Sequence, residues 1–160
     1  MTSTTTMRTA AADVGLSIVV PVYNEGRGLR AFHDRLCDVA RALRQKRGLA
    51  TEVVYVDDGS RDDSLAVAQA LPAEALDVQV ISLSRNFGKE AALMAGLDHA
   101  RLGAVLFMDG DGQHPPALVD RLVGHWLDDG YDVVYTAKAD RKSTRLNSSH
   151  VSESRMPSSA

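Results

Sequence analysis

Short runs of consecutive aliphatic residues alternate along this chain with stretches whose apolar positions recur every three or four residues. Leu16-Ser17-Ile18-Val19-Val20-Pro21-Val22 is nearly all apolar, as expected of a strand covered on both faces. After it, Leu29, Phe32, Leu36, Val39 and Leu43 mark one face of a helix predicted from about Gly28 to Arg47, with Gly48 as its stop. Glu52 to Val56 forms a second strand. A helix carrying Leu65, Val67, Ala68 and Leu71 follows, ended by Pro72. Val78 to Leu83 is a third strand, and the alanine- and leucine-rich Lys89–Arg101 a third helix. Ala104 to Met108 is a fourth strand. Pro115-Pro116 suits the first turn of a fourth helix, with Leu118, Leu122, Val123 and Trp126 on its inner face. Asp132 to Thr136 is a fifth strand.

Strand and helix alternating through short links imply right-handed crossovers and a mostly parallel α/β sheet with helices on its faces. Ligands of such sheets bind beyond the carboxyl ends of the strands. The polar motifs of this chain fall at those ends.

The first strand runs into Pro21-Val22-Tyr23-Asn24-Glu25-Gly26, a stiff exit followed by a tight turn that leaves Tyr23 and Glu25 free to face a ligand. The second ends in Asp57-Asp58-Gly59-Ser60, where an acid can accept hydrogen bonds from a ribose or a base. Asp62 and Asp63, just beyond, suit helix capping and solvation. Ser84-Arg85-Asn86-Phe87-Gly88-Lys89 joins the third strand to a helix N-terminus and brings two positive charges there, a natural phosphate site. The fourth strand stops in Asp109-Gly110-Asp111-Gly112-Gln113. There Asp109, Asp111 and Gln113 offer hard oxygen donors at alternate positions, suited to Mg²⁺ or Mn²⁺ holding a diphosphate. His33, His99 and His125 fall in helical patterns without metal-type spacing and read as structural.

Composition narrows the classes. An apolar fraction of 44% in 160 residues supports one ordinary globular core. A net charge of −3 and 5% aromatic residues argue against a nucleic-acid partner, which needs basic surface and stacking rings. One cysteine, Cys37, permits no internal disulfide and fits a reducing, cytoplasmic setting. No segment reaches the roughly 18–20 apolar residues that span a bilayer.

Taken in order, the four strand-end motifs resemble the family-2 inverting glycosyltransferases of GT-A fold. The likeness is strongest to the polyprenyl-phosphate branch, which includes dolichol-phosphate mannosyltransferases and undecaprenyl-phosphate sugar transferases. Gly130-Tyr131-Asp132-Val133-Val134-Tyr135 continues the match. The resemblance implies a GT-A, Rossmann-like sheet, incomplete at its C-terminus. It implies that Pro21, Tyr23, Glu25, Asp57, Asp58, Lys89 and Asp109 bind the nucleotide sugar, and that Asp109, Asp111 and Gln113 handle Mg²⁺ or Mn²⁺. The family usually has Ala-Asp-Leu-Gln where this chain has Gly110-Asp111-Gly112-Gln113, so two extra glycines loosen the loop. The implied donor is a UDP- or GDP-sugar. The implied acceptor is a polyprenyl phosphate at the cytoplasmic face of a membrane. The phosphate nucleophile is already anionic, so no catalytic base is assigned.

Three segments result: a disordered leader over 1–13, the nucleotide-sugar-binding part of a GT-A domain over 14–141, and a serine-rich, disordered tail over 142–160 that resembles translated adapter sequence and is foreign to the domain. The family's acceptor-binding half is expected to be missing. The alternative reading is an inactive module that binds a nucleoside diphosphate without turnover. A sugar nucleotidyltransferase would have a glycine- and arginine-rich loop where Tyr23-Asn24-Glu25 stands.

Overall fold

A computed structural model describes residues 14–112, 115, 117–136 and 151–154. The chain divides into two compact units, before and after residue 115.

In the first unit four parallel strands lie in the order β3-β2-β1-β4: β1 Gly15–Val22, β2 Ala50–Asp57, β3 Asp77–Ser82 and β4 Ala104–Phe107. Two crossovers, through α1 (Gly26–Arg47) and α2 (Ser64–Gln69), build the sheet outward from β1. The third, through α3 (Lys89–His99), carries the chain back past β2 and β1 to place β4 on the other side of β1. Strand order therefore reverses at β1, and the ends of β1 and β4 part around a crevice. The expected mostly parallel sheet is present.

β1 is buried along most of its length because both faces are covered. α1 lays Leu29, Phe32, Leu36, Ala40 and Leu43 into the core at helical spacing. α3 packs on β1 and β2, where Ala92 meets Val19, Val54 and Val56.

α1 begins at Gly26, two residues before the expected start at Gly28. The reason is long-range. Asp62 accepts the Gly26 N–H at 3.2 Å, and the Ser64 hydroxyl accepts the Glu25 N–H at 2.8 Å, so the loop after β2 satisfies the first turn of a helix far away in sequence. Asp62 caps in both directions: Oδ1 accepts the Ser64 N–H at 2.9 Å at the start of α2, while Oδ2 reaches across the fold to α1.

Of the three histidines, His33 is fully buried. Its Nε2 lies 2.8 Å from the Pro72 carbonyl and its Nδ1 2.9 Å from the Tyr55 hydroxyl. A carbonyl only accepts, so Nε2 carries the proton and Nδ1 accepts from Tyr55. The ring is held as the neutral tautomer.

The second unit contains α4 (Ala117–Leu127), which buries Val119 and Val123. Trp126, expected in the core, is only half-buried. β5 (Val133–Thr136) pairs antiparallel with β6 (Val151–Ser154) in a separate two-stranded sheet. Two expectations need correction. The fifth strand lies in this antiparallel pair rather than in the parallel sheet. The segment from Lys142 onward was expected to lack regular structure, yet β6 falls within it. The ladder is made by backbone N–H and C=O groups, so low apolar content does not forbid it. The 1–13 leader and the rest of the tail lie outside the described residues. No helix among the described residues is long and apolar enough to cross a membrane.

Candidate functional site

At the carboxyl end of the sheet a cleft of about 270 Å³ opens where β1 and β4 part. The exit of β1 contributes Pro21, Tyr23 and Glu25, and the exit of β4 contributes Asp109, Gly110 and Asp111. Asp58 enters from the end of β2, and Asn86, Gly88 and Lys89 from the loop before α3. Four motifs that lie far apart along the chain thus share one hollow at the point of strand reversal.

Asp58 is buried and binds the neighbouring loop with both oxygens. It accepts the Phe87 N–H at 2.8 Å and the Gly88 N–H at 3.0 Å. That clamp fixes the start of α3 and with it Lys89, whose Nζ lies 2.5 Å from Asp109 Oδ1. Gly59 allows the clamp to close. Its φ is +70°, and a Cβ there would stand 2.4 Å from the Arg85 carbonyl carbon, closer than any real contact.

Glu25 stands beside the turn after β4 that carries Asp109 and Asp111. Burial pushes its carboxyl above the ordinary range, and the charges of Asp111 and Asp109 push the same way against a smaller opposing effect of Lys89. Its Oε2 is buried without a hydrogen-bond partner among the described residues and sits beside Gly110. The β4 turn is tighter than two extra glycines suggested. Gly110 is buried, and a Cβ on it would meet Glu25 Oε2 at 3.0 Å and Val20 at 3.1 Å. Gly112 has φ +76°, where any other residue is strained.

Of the residues expected to contact ligand, Pro21, Tyr23, Glu25, Asp58, Lys89, Asp109 and Asp111 line the cleft. Asp57 does not. Both acids are buried, and Asp57 Oδ2 accepts the Ser60 N–H at 3.3 Å while its Oδ1 has no hydrogen-bond partner among the described residues. Gln113 lies outside the described residues. Asn86 and Gly110 line the cleft without having been singled out, although both stand inside motifs that were.

The donor set suits a hard divalent cation. Among the described residues no group of three or more His, Cys, Asp or Glu side chains is poised around a metal. Mg²⁺ and Mn²⁺ need fewer, because one or two carboxylates complete their shell with water and substrate phosphates. Asp109 and Asp111 meet that requirement, and the unpartnered Glu25 oxygen adds to the local surplus of negative charge.

The sequence matches the family described as "Glycosyl transferase family 2" over residues 17–159, a span that takes in the segment beyond 142. An uncharacterized glycosyltransferase of Synechocystis sp. is 40% identical over 129 residues, covering 81% of this chain and 39% of the relative. The undecaprenyl-phosphate 4-deoxy-4-formamido-L-arabinose transferase of Yersinia pestis is 40% identical over 131 residues, covering 79% of this chain and 38% of the relative. The chain therefore spans about two fifths of the length of these relatives. Among solved structures, a mannosyltransferase of Pyrobaculum calidifontis in complex with GDP-Man and Mn²⁺ matches with a TM-score of 0.60 and 26% identity, over 72% of this chain and 33% of that one.

Proposed function

The chain belongs to glycosyl transferase family 2 and has its GT-A fold, and we propose that its cleft holds the nucleoside diphosphate of a UDP- or GDP-sugar for inverting transfer to a polyprenyl phosphate. The observation that carries this reading is the convergence of Tyr23, Glu25, Asp58, Lys89, Asp109 and Asp111 around one hollow at the strand reversal. A Yersinia relative named for an undecaprenyl-phosphate acceptor supports the lipid phosphate. A structural neighbour holding GDP-Man and Mn²⁺ supports the donor and the metal. Such an acceptor would be met at a membrane surface, and the cytoplasmic face is the one proposed.

Asp109, Asp111 and Gln113 would hold Mg²⁺ or Mn²⁺. The cation supplies charge that neutralises the departing diphosphate. The chain's own residues do the rest. Tyr23 offers a half-exposed ring beside the cleft for a base to stack on. Asp58 keeps the Phe87–Gly88 backbone in place, which sets Lys89 beside Asp109. Lys89, paired with Asp109 across the cleft, would turn to a diphosphate oxygen once Asp109 and Asp111 held the cation.

The test is calorimetric titration of the 160-residue chain with UDP and with GDP, each with and without Mn²⁺, followed by assay of sugar transfer to a short-chain polyprenyl phosphate. Metal-dependent binding of one nucleotide supports the donor site, and product formation supports transfer. Binding without product would favour a nucleotide-binding module. No binding of either nucleotide would overturn the reading.

A further inference from the structure

Between Tyr23 and Glu25, two cleft residues from the exit of β1, stands Asn24, the one non-glycine among the described residues with a positive φ, at +53°. Asparagine tolerates that left-handed conformation because its short polar side chain can bond to backbone groups. Here the bonds run to a loop far away in sequence. Asn24 Oδ1 accepts the Arg61 N–H at 2.8 Å and the Asp62 N–H at 3.4 Å, while the Asn24 N–H donates to the Ser60 hydroxyl at 3.0 Å. One residue therefore gives and receives across the gap between the β1 turn and the loop after β2.

Its neighbours extend the latch. The Glu25 N–H reaches the Ser64 hydroxyl and the Gly26 N–H reaches Asp62, and Gly26 leaves no room for a Cβ beside Asp63. Ser60 is itself set by Asp57, whose Oδ2 accepts its N–H. The acid that does not line the cleft thus holds the serine that holds the turn. Tyr23 and Asn24 are exposed, so little apolar packing fixes this segment, and the bonds to the loop after β2 have to do so.

We propose that Asn24 is a positioning residue of the donor site: it latches the β1 turn to the loop after β2 and so holds Tyr23 and Glu25 on the cleft wall before a ligand arrives. The proposal rests on the donor-site reading above. Asn24 is not among the residues that line the donor cleft, so its effect passes through its neighbours. A wall already in place asks no ordering of the ligand that meets it. A loose turn is competent only part of the time, and apparent affinity falls with that fraction.

The test compares variants of the full chain. Asn24→Gly keeps the left-handed turn and removes the side-chain half of the latch, Asn24→Asp keeps an acceptor oxygen, and Asn24→Ala both removes the latch and strains the turn. Each is titrated with UDP and with GDP in Mn²⁺, and amide hydrogen exchange at Arg61 and Asp62 is followed by NMR without ligand. Asn24→Gly is expected to weaken nucleotide binding about fivefold or more and to speed exchange at those amides about tenfold, with the urea midpoint close to the parent's. Asn24→Asp is expected to stay within about threefold of the parent in both readouts. Asn24→Ala is expected to lose at least as much as Asn24→Gly, and if it does not fold the other two variants carry the comparison. Parent-like behaviour of Asn24→Gly in either readout would reduce Asn24 to a turn-former and overturn the proposal. An equal loss in Asn24→Asp, or a matching fall in the urea midpoint of Asn24→Gly, would overturn it too. A parent chain that binds neither nucleotide removes the donor reading. The exchange rates then decide the latch by themselves: faster exchange in Asn24→Gly but not in Asn24→Asp supports it, and unchanged exchange overturns it.

Discussion

Two glutamates at opposite ends of the same sheet show how differently one side chain is treated. Glu52, near the amino end of β2, is 1% exposed and fully engaged. It accepts the Ser17 hydroxyl at 2.6 Å, the Arg101 N–H at 2.7 Å, the Arg101 guanidinium at 2.9 Å and the Gln79 amide at 3.1 Å. Burial alone would raise its pKa, but those hydrogen bonds outweigh burial and hold it below the ordinary range. Glu25, at the carboxyl end, is raised by burial and by like charges, and one of its oxygens is orphaned. The first acid is built to stabilise the fold: it ties the start of β4 to β1, β2 and β3. The second is left short of partners where a ligand is expected, the condition in which a site has something to gain on binding.

The largest effect should come from breaking the satisfied end. Glu52→Ala would strand the Ser17 hydroxyl and Arg101, and should cost about 3–5 kcal/mol in urea unfolding, the usual penalty for removing one member of a buried charged network. A loss under about 1 kcal/mol would show that water replaces the carboxylate there. At the other end, Asp111→Asn should leave stability nearly unchanged while weakening Mn²⁺-dependent nucleotide binding by about 1–3 kcal/mol, read by calorimetry. Equal affinity for both proteins in Mn²⁺ would remove Asp111 from the metal.

His33 sharpens the comparison from within the core. Desolvation lowers its pKa in the folded chain below the ordinary 6.5. Below that pH the unfolded chain binds a proton that the folded chain refuses. Stability therefore falls on acidification from about pH 6.5 down to the folded-state pKa, by at most about 1.4 kcal/mol per pH unit from this one group. His33→Gln should flatten that part of a stability–pH curve measured by denaturant melts, and an unaltered slope would clear His33 of the effect. The smallest change is expected from Glu25→Gln. Removing a charge that Asp109 and Asp111 repel should leave stability the same or raise it by up to about 1 kcal/mol. A clear loss would mean that the carboxylate has a structural partner after all.

Much of the fold could be read from local pattern. The continuous apolar runs of β1 to β4 and the four-residue stripe of α1 announce their own secondary structure, because strand and helix periods are set by backbone geometry. The candidate site was legible for a related reason. In a parallel sheet every strand runs the same way, so motifs placed after successive strands arrive on the same rim whatever the strand order. Seven of the expected ligand-facing residues line the cleft. Of the two adjacent acids at the end of β2, Asp58 lines the cleft and Asp57 does not, a distinction that a pair of identical residues does not make in sequence.

Strand order, and with it the crevice between β1 and β4, came from tertiary structure alone, since nothing in a run of aliphatic residues names its neighbour. The same holds for the Asp58 clamp on Phe87 and Gly88, for the capping of α1 by Asp62 and Ser64, for the Glu52 network, and for the pairing of β5 with β6. Periodicity is a property of consecutive residues and belongs to the sequence. Which donor meets which acceptor across 30 or 50 positions depends on how the chain crosses over the sheet, and a linear pattern contains no record of that.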